Sequence, residues 1–135
     1  MKLNSGQAKA VVKLLKFRGG LVTAVVREFK TKDVLMVAHM NRRAVMRTLT
    51  TGLMHYWSRS RRKLWLKGEV SGHYQHIQNI FVDCDGDALL FDVKQVRGAC
   101  HEGYRSCFYR KVKKGNLVRT LKKTFNPNDV YKKYK

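Results

Sequence analysis

Three carboxylates stand within five residues in Asp83-Cys84-Asp85-Gly86-Asp87, in a chain that has only 9 acidic residues against 29 Lys and Arg. Carboxylates so crowded repel one another unless a cation joins them, and their hard oxygens suit Mg²⁺ or Ca²⁺. Read as an extended strand, the segment puts Asp83, Asp85 and Asp87 on one side and Cys84 on the other, where a thiolate suits zinc. A calcium-binding helix-loop-helix does not match, because its sixth and twelfth loop positions need Gly and Glu, where this chain has Ala88 and Lys94. The plainer alternative is an Asp and Gly turn between two strands that happens to contain a cysteine.

Cys100 and Cys107 add a second donor set. On a continuous helix they would stand ~10.5 Å apart at ~1.5 Å per residue, too far for one zinc with Zn–S bonds of ~2.3 Å. Gly103 interrupts the segment, so Cys100-His101-Glu102-Gly103-Tyr104-Arg105-Ser106-Cys107 reads as a loop folding back on itself. Two thiolates from this loop plus Cys84 make three protein ligands and leave one position open, the count of a catalytic zinc rather than a structural one. The alternative is that small cysteines merely pack beside a strand. His101, next to a candidate ligand, is placed to take or give a proton. His73 and His76, three apart on a strand, face opposite ways and are not expected to share a metal, and His39 and His55 carry no supporting pattern.

The third constellation is Trp57-Ser58-Arg59-Ser60-Arg61-Arg62, followed by Leu64-Trp65, Lys67-Gly68-Glu69 and Ser71-Gly72-His73. Hydroxyls, guanidinium forks and glycine N–H groups bind phosphate, and tryptophan can stack on a base. A solvated basic hairpin, or a surface for single-stranded RNA, uses the same residue types.

The elements that must position these groups point to an α+β fold with a mostly antiparallel sheet and one or two helices. Val11 to Phe17 reads as a short helix with Ser5 to cap it and Gly19-Gly20 to end it. Leu21 to Val26 and Val34 to Ala38 are β-branched runs flanking a polar turn at Lys30 to Asp33, a hairpin pattern. Asn41 can cap a helix through Ala44, Val45 and Leu49 that stops at Gly52. Leu64 to Leu66, Ile77 to Val82, Ala88 to Val93 and Cys107 to Val112 are further strand candidates. The expected organisation is one domain over residues 1–112 with a basic, partly ordered extension over 113–135.

The 135 residues carry a formal charge of +20, which first suggests nucleic acid. Its partition is more informative: residues 1–32 hold 8 basic and 1 acidic (+7), 33–110 hold 12 and 7 (+5), and 111–135 hold 9 and 1 (+8). The excess lies at the ends, outside the segment that holds the candidate ligands. No apolar run approaches the ~20 residues of a membrane span, and lysines interrupt the N-terminal segment where a signal peptide needs an unbroken apolar stretch. Three cysteines are an odd count, which fits reduced thiols better than a disulfide framework. A soluble, cytoplasmic protein is expected.

Taken in order, Leu35-Met36 through Met40-Asn41, Tyr56-Trp57-Ser58-Arg59-Ser60-Arg61, Leu64-Trp65, Lys67-Gly68-Glu69, Ser71-Gly72-His73 with Gln75, the Asp83 to Asp87 cluster and Ala99 to Phe108 resemble the phosphoribosyl-AMP cyclohydrolases of histidine biosynthesis. The resemblance runs from about Gly20 to Arg110. It implies an intertwined homodimer in which Cys84 of one subunit meets Cys100 and Cys107 of the other at one Zn²⁺ per subunit, while Asp83, Asp85 and Asp87 hold Mg²⁺. It further implies an anionic nucleotide substrate with two phosphate groups, ring opening at N1–C6 of its adenine, and His101 as proton shuttle. Trp57, Ser58, Arg59, Ser60, Arg61, Lys67, Glu69, Ser71, Gly72 and His73 become the expected substrate contacts. Thr23 and His39 depart from the family pattern, where many members have proline and tyrosine. A stand-alone enzyme is expected, without the pyrophosphohydrolase domain fused to it in many organisms. The rival is a small basic RNA-binding protein with a zinc-stabilised loop, which gives no reason for three carboxylates on a phosphate-binding surface.

Overall fold

The computed structural model describes residues 1–131. Its centre is a four-stranded sheet in the order β2-β1-β6-β5, built from β1 (Val22–Glu28), β2 (Val34–Met40), β5 (Gln75–Val82) and β6 (Ala88–Gln95). β1–β2 and β5–β6 are antiparallel, and β1 lies parallel to β6. The remaining elements in chain order are α1 (Ser5–Leu14), α2 (Arg42–Thr51), β3 (His55–Ser58), β4 (Lys63–Leu66), β7 (Arg110–Lys113), β8 (Asn116–Arg119) and α3 (Pro127–Tyr131). β3–β4 and β7–β8 are two separate antiparallel hairpins.

The second helix follows its expected signals: the Asn41 side chain accepts from Ala44 N–H at 2.9 Å, and Gly52 closes the helix in the left-handed conformation. The first helix differs from expectation at both ends. Asn4, not Ser5, caps it, because Asn4 and Gln7 exchange side-chain and backbone hydrogen bonds in a capping box. It stops at Leu14, so Phe17 and the Gly19-Gly20 pair lie beyond it. The expected Cys107 to Val112 strand begins only at Arg110. Beyond Lys113 the chain continues into β8 and α3, while residues 132–135 of the expected extension lie outside the described residues.

Strand alternation builds the core and also ends it. Val22, Ala24 and Val26 of β1 and Leu89, Phe91 and Val93 of β6 are buried with Ala8, Val12, Ala44, Val45 and Leu49 of the helices. The same inward register carries Glu28 and Gln95, both buried, to one end of the sheet. There the interior turns polar. Gln75 accepts from the Tyr56 hydroxyl at 2.5 Å and donates to Gln95 at 2.7 Å, and Gln95 N–H donates to Glu28 at 3.2 Å. Buried polar groups are tolerated when hydrogen-bonded. On the other face of β6, Asp92 is enclosed by Arg27, Lys32 and Asn79. Hydrogen bonding to Arg27 above all holds its carboxyl at about 2, against the opposing cost of burial.

Candidate active site and metal centres

The carboxylate cluster sits in the turn between β5 and β6, not in an extended strand. Asp83 N–H donates to Ala88 C=O at 3.0 Å and Gly86 N–H to Asp83 C=O at 3.2 Å, which closes the turn. The Asp83 carboxylate accepts from the backbone N–H groups of Asp87 and Ala88 at 3.1 and 3.2 Å. The turn, rather than strand alternation, therefore brings the trio together, with one oxygen of each of Asp83, Asp85 and Asp87 within 4.8 Å of the others. The carboxyls of the trio differ in their electrostatics. Hydrogen bonding with Asp83 and Asp87, then their charges, raises the Asp85 pKa, whereas Arg18, 2.9 Å from Asp87, lowers that of Asp87. Oxygen ligands converging on a point fit a hard divalent cation such as Mg²⁺.

At the opposite end of the sheet, the segment from Cys100 to Cys107 does fold back on itself. Cys100 N–H donates to Tyr104 C=O at 3.1 Å, Gly103 N–H to Cys100 C=O at 3.0 Å, and Ala99 N–H to Arg105 C=O at 2.9 Å. The Cys107 thiol is pushed up to about 11, first by burial and then by the neighbouring Cys100, with Lys67 opposing. Two soft donors side by side fit zinc, which binds the deprotonated form and displaces the protons.

Tethers from the rest of the molecule hold this loop. Arg105 donates to buried Glu28 at 2.6 Å, Cys107 N–H to Leu35 C=O at 2.7 Å, and the Ser106 hydroxyl to Val34 C=O at 2.7 Å. From the C-terminal side, Thr124 N–H donates to Gly103 C=O at 2.7 Å. Gly103 has φ +102°, and a Cβ there would lie 2.6 Å from the Phe125 carbonyl oxygen, so only glycine fits beneath this strap. His101 is exposed, with Nε2 3.3 Å from Glu102 Oε1.

Cys84 does not join the other two cysteines within one chain. It is exposed in the β5–β6 turn, and eight-residue β6, on the order of 25 Å at ~3.3 Å per residue, separates it from the loop. Among the described residues the Asp trio is the one group of three potential metal-ligating side chains that converges.

The expected substrate contacts divide into two sets. Trp57, Arg59 and Ser60 line an open cleft of about 500 Å³ with Ala38 and His39. Ser58 belongs to the same hairpin, its hydroxyl accepting from Arg61 N–H at 3.2 Å. Burial and then the Arg59 charge hold the His39 imidazole below its ordinary pKa. Lys67 and His73 turn the other way, toward the cysteine loop. The Lys67 ammonium donates to Ala99 C=O at 2.5 Å, and while burial lowers its pKa, the charges of Cys107 and Cys100 oppose that. His73 is buried, packed edge-on against Phe125 with ring centroids 4.6 Å apart, and its Nδ1 has no hydrogen-bond partner among the described residues. Burial, then Arg97 and Lys67, lower its pKa. Glu69 and Gly72 are exposed, and the Ser71 hydroxyl accepts from His73 N–H at 3.1 Å. His76 is exposed in β5, whereas His73 lies before that strand and not on it as the sequence suggests.

Sequence reasoning missed the tethers Glu28, Arg105 and Thr124 and the position of Lys67 beside the thiols. Gly103 carried the one available signal, since a glycine inside a ligand loop marks a close approach of backbone.

Comparison with known proteins bears on the whole arrangement. Residues 36–109, more than half of the chain, match the family model described as phosphoribosyl-AMP cyclohydrolase. A protein of that name from Sulfurisphaera tokodaii is 55% identical over 112 residues, covering 82% of this chain and 95% of its own length. One from Methanosarcina acetivorans is 55% identical over 117 residues, covering 87% and 95%. One from Prosthecochloris aestuarii is 50% identical and covers 98% of each.

Proposed function

The chain belongs to the phosphoribosyl-AMP cyclohydrolase family of enzymes, and from that premise we propose that it opens the adenine ring of 1-(5-phosphoribosyl)-AMP by hydrolysis at N1–C6. In this reading Cys100 and Cys107 of one subunit and Cys84 of a second copy hold zinc, and Asp83, Asp85 and Asp87 hold Mg²⁺. The observation that carries the shared site is the distance between Cys84 and the paired thiols of Cys100 and Cys107 in one chain, which a second copy resolves. No helix among the described residues is long and apolar enough to cross a membrane.

Zinc supplies Lewis acidity that makes water nucleophilic near neutral pH. The chain's own residues do the rest. Lys67 places a cation beside Cys107 and so favours its thiolate form against the cost of burial. His101, exposed and next to Cys100, takes a proton as water adds to C6 and returns it as the N1–C6 bond breaks. Glu102 holds its imidazole at 3.3 Å. Trp57 offers a stacking face, and Arg59 with Ser60 offers donors to phosphate in the cleft that the three line.

The test is to incubate the purified protein with zinc, Mg²⁺ and phosphoribosyl-AMP and follow the ultraviolet change as the purine opens. No change would overturn the reading. Subunit sharing has its own test in refolded mixtures of Cys84→Ser and Cys100→Ser, each inactive alone. A mixed dimer regains one intact site of its two, so activity should return on mixing, and a mixture as inactive as its parts would rule sharing out.

A further inference from the structure

β7 and β8 place two arginines in direct register, Arg110 opposite Arg119. Like charges directly opposite on a hairpin are destabilising, so the arrangement needs a compensating anion. No protein carboxylate supplies one: among the described residues neither arginine, nor Lys123 nearby, is in an ion pair. All three instead line one cavity of about 480 Å³ together with Glu102, Tyr104 and Tyr109.

The cavity is built from a stack. The rings of Tyr104 and Tyr109 lie 3.6 Å apart and 6° from parallel. The Arg110 guanidinium sits 5.2 Å from the Tyr109 centroid and the Lys123 ammonium 6.0 Å from that of Tyr104. Cations held against ring faces are attracted by the π-electrons without being neutralised, so they keep their charge for a ligand. Among the described residues Glu102 is the one carboxylate in the wall, and it is drawn toward His101 at 3.3 Å, leaving three cations to one acid. Glu102 also fixes the location, beside His101 on the loop that carries Cys100 and Cys107.

We propose that Arg110, Arg119 and Lys123 form a binding site for a phosphate monoester, one of the two ribose 5-phosphate arms of the substrate. The ligand's identity rests on the cyclohydrolase reading. A guanidinium pair and an ammonium present the forked and point donors that phosphate oxygens accept from, and the ribose spans the gap between the phosphate and the reacting ring beside His101. Arg110, Arg119 and Lys123 all lie outside residues 36–109, so this arm is held by a part of the chain beyond the family model.

The experiment compares the full-length zinc-loaded enzyme with the Arg119→Ala/Lys123→Ala double variant. KM for phosphoribosyl-AMP should rise about tenfold or more, the loss expected for charge-assisted hydrogen bonds, while kcat stays within about twofold and zinc content is unchanged. Ribose 5-phosphate, titrated calorimetrically, should bind the parent protein and weaken by a similar factor in the variant, with Arg119→Lys restoring part of the affinity. An unchanged KM would overturn the proposal, as would a fall in kcat together with zinc loss, which marks a structural role. An unchanged ribose 5-phosphate affinity with weakened binding of a single-stranded RNA oligonucleotide would also overturn it, by assigning the cavity to nucleic acid. If ribose 5-phosphate binding is lost in the variant but the parent opens no purine ring, the phosphate site stands and the cyclohydrolase reading falls.

Discussion

The turn from Asp83 to Asp87 and the loop from Cys100 to Cys107 both gather metal-ligating groups, but they are built on opposite principles. The turn is mainly local: bonds among Asp83, Gly86, Asp87 and Ala88 put its carboxylate oxygens together, and among the described residues only Lys16 N–H, Thr23 N–H and the Arg18 side chain reach it from outside. The loop is held from outside, by Glu28 of β1, Leu35 of β2, the Lys67 ammonium and Thr124 near the C-terminus. A site made mostly by adjacency depends less on its surroundings, whereas a site made by tethers inherits the stability of everything tied to it.

The largest expected effects fall on the loop. Cys100→Ser should lose zinc and turnover together, read by metal content and the ring-opening assay, because a hydroxyl is a poor replacement for a soft thiolate. Retained zinc in that variant would remove Cys100 from the ligand set. His101→Ala should lower kcat by roughly 10²–10⁴-fold with zinc still bound, the range for a general acid–base group. Gly103→Ala tests the strap: with φ +102° and a carbonyl oxygen 2.6 Å from the new Cβ, it should cost roughly 1–3 kcal/mol in urea unfolding and weaken zinc against a competing chelator. Glu28→Gln leaves Arg105 without its anion and should cost about 1–3 kcal/mol by the same measurement. The smallest effect belongs to the turn. Asp85→Asn removes a carboxyl whose pKa is raised by Asp83 and Asp87, so Mg²⁺ affinity should fall while Tm without metal holds or rises slightly. Because that raised pKa means the charged form is disfavoured in the fold, the Tm gain should appear as pH rises above the carboxylate range and vanish in acid. A Tm loss as large as that of Gly103→Ala would erase the distinction between the two regions.

The same distinction explains what the sequence made legible. The Asp trio and the helix between Asn41 and Gly52 could be read because their signals are neighbours along the chain. Even so, a turn rather than a strand aligns the trio, since alternation and a tight turn both bring residues i, i+2 and i+4 together. Cys100 and Cys107 could be named as partners, but not their tethers. Nothing in Arg105 or Glu28 alone reveals a bond across 77 residues. Glu28 looks like a surface acid until the register of β1 shows that it continues the inward positions of Val22, Ala24 and Val26. The basic segment after Lys113 looked like an appendage because charge there outweighs apolar content. Its role emerges only where Thr124 and Phe125 cross Gly98 and Gly103.

The parallel pairing of β1 with β6 has a consequence in time. Thr23 meets Ala88, and the intervening chain must first be ordered before that long loop can close. The β5–β6 hairpin needs no such wait and can form within about 1–10 μs. The carboxylate end of the molecule is therefore assembled early and the thiol end late, after β1 has delivered Glu28 and the C-terminal strap has arrived. During that interval Cys100, which is buried in the finished structure, is open to oxidants, so refolding yield should rise when a reductant is present.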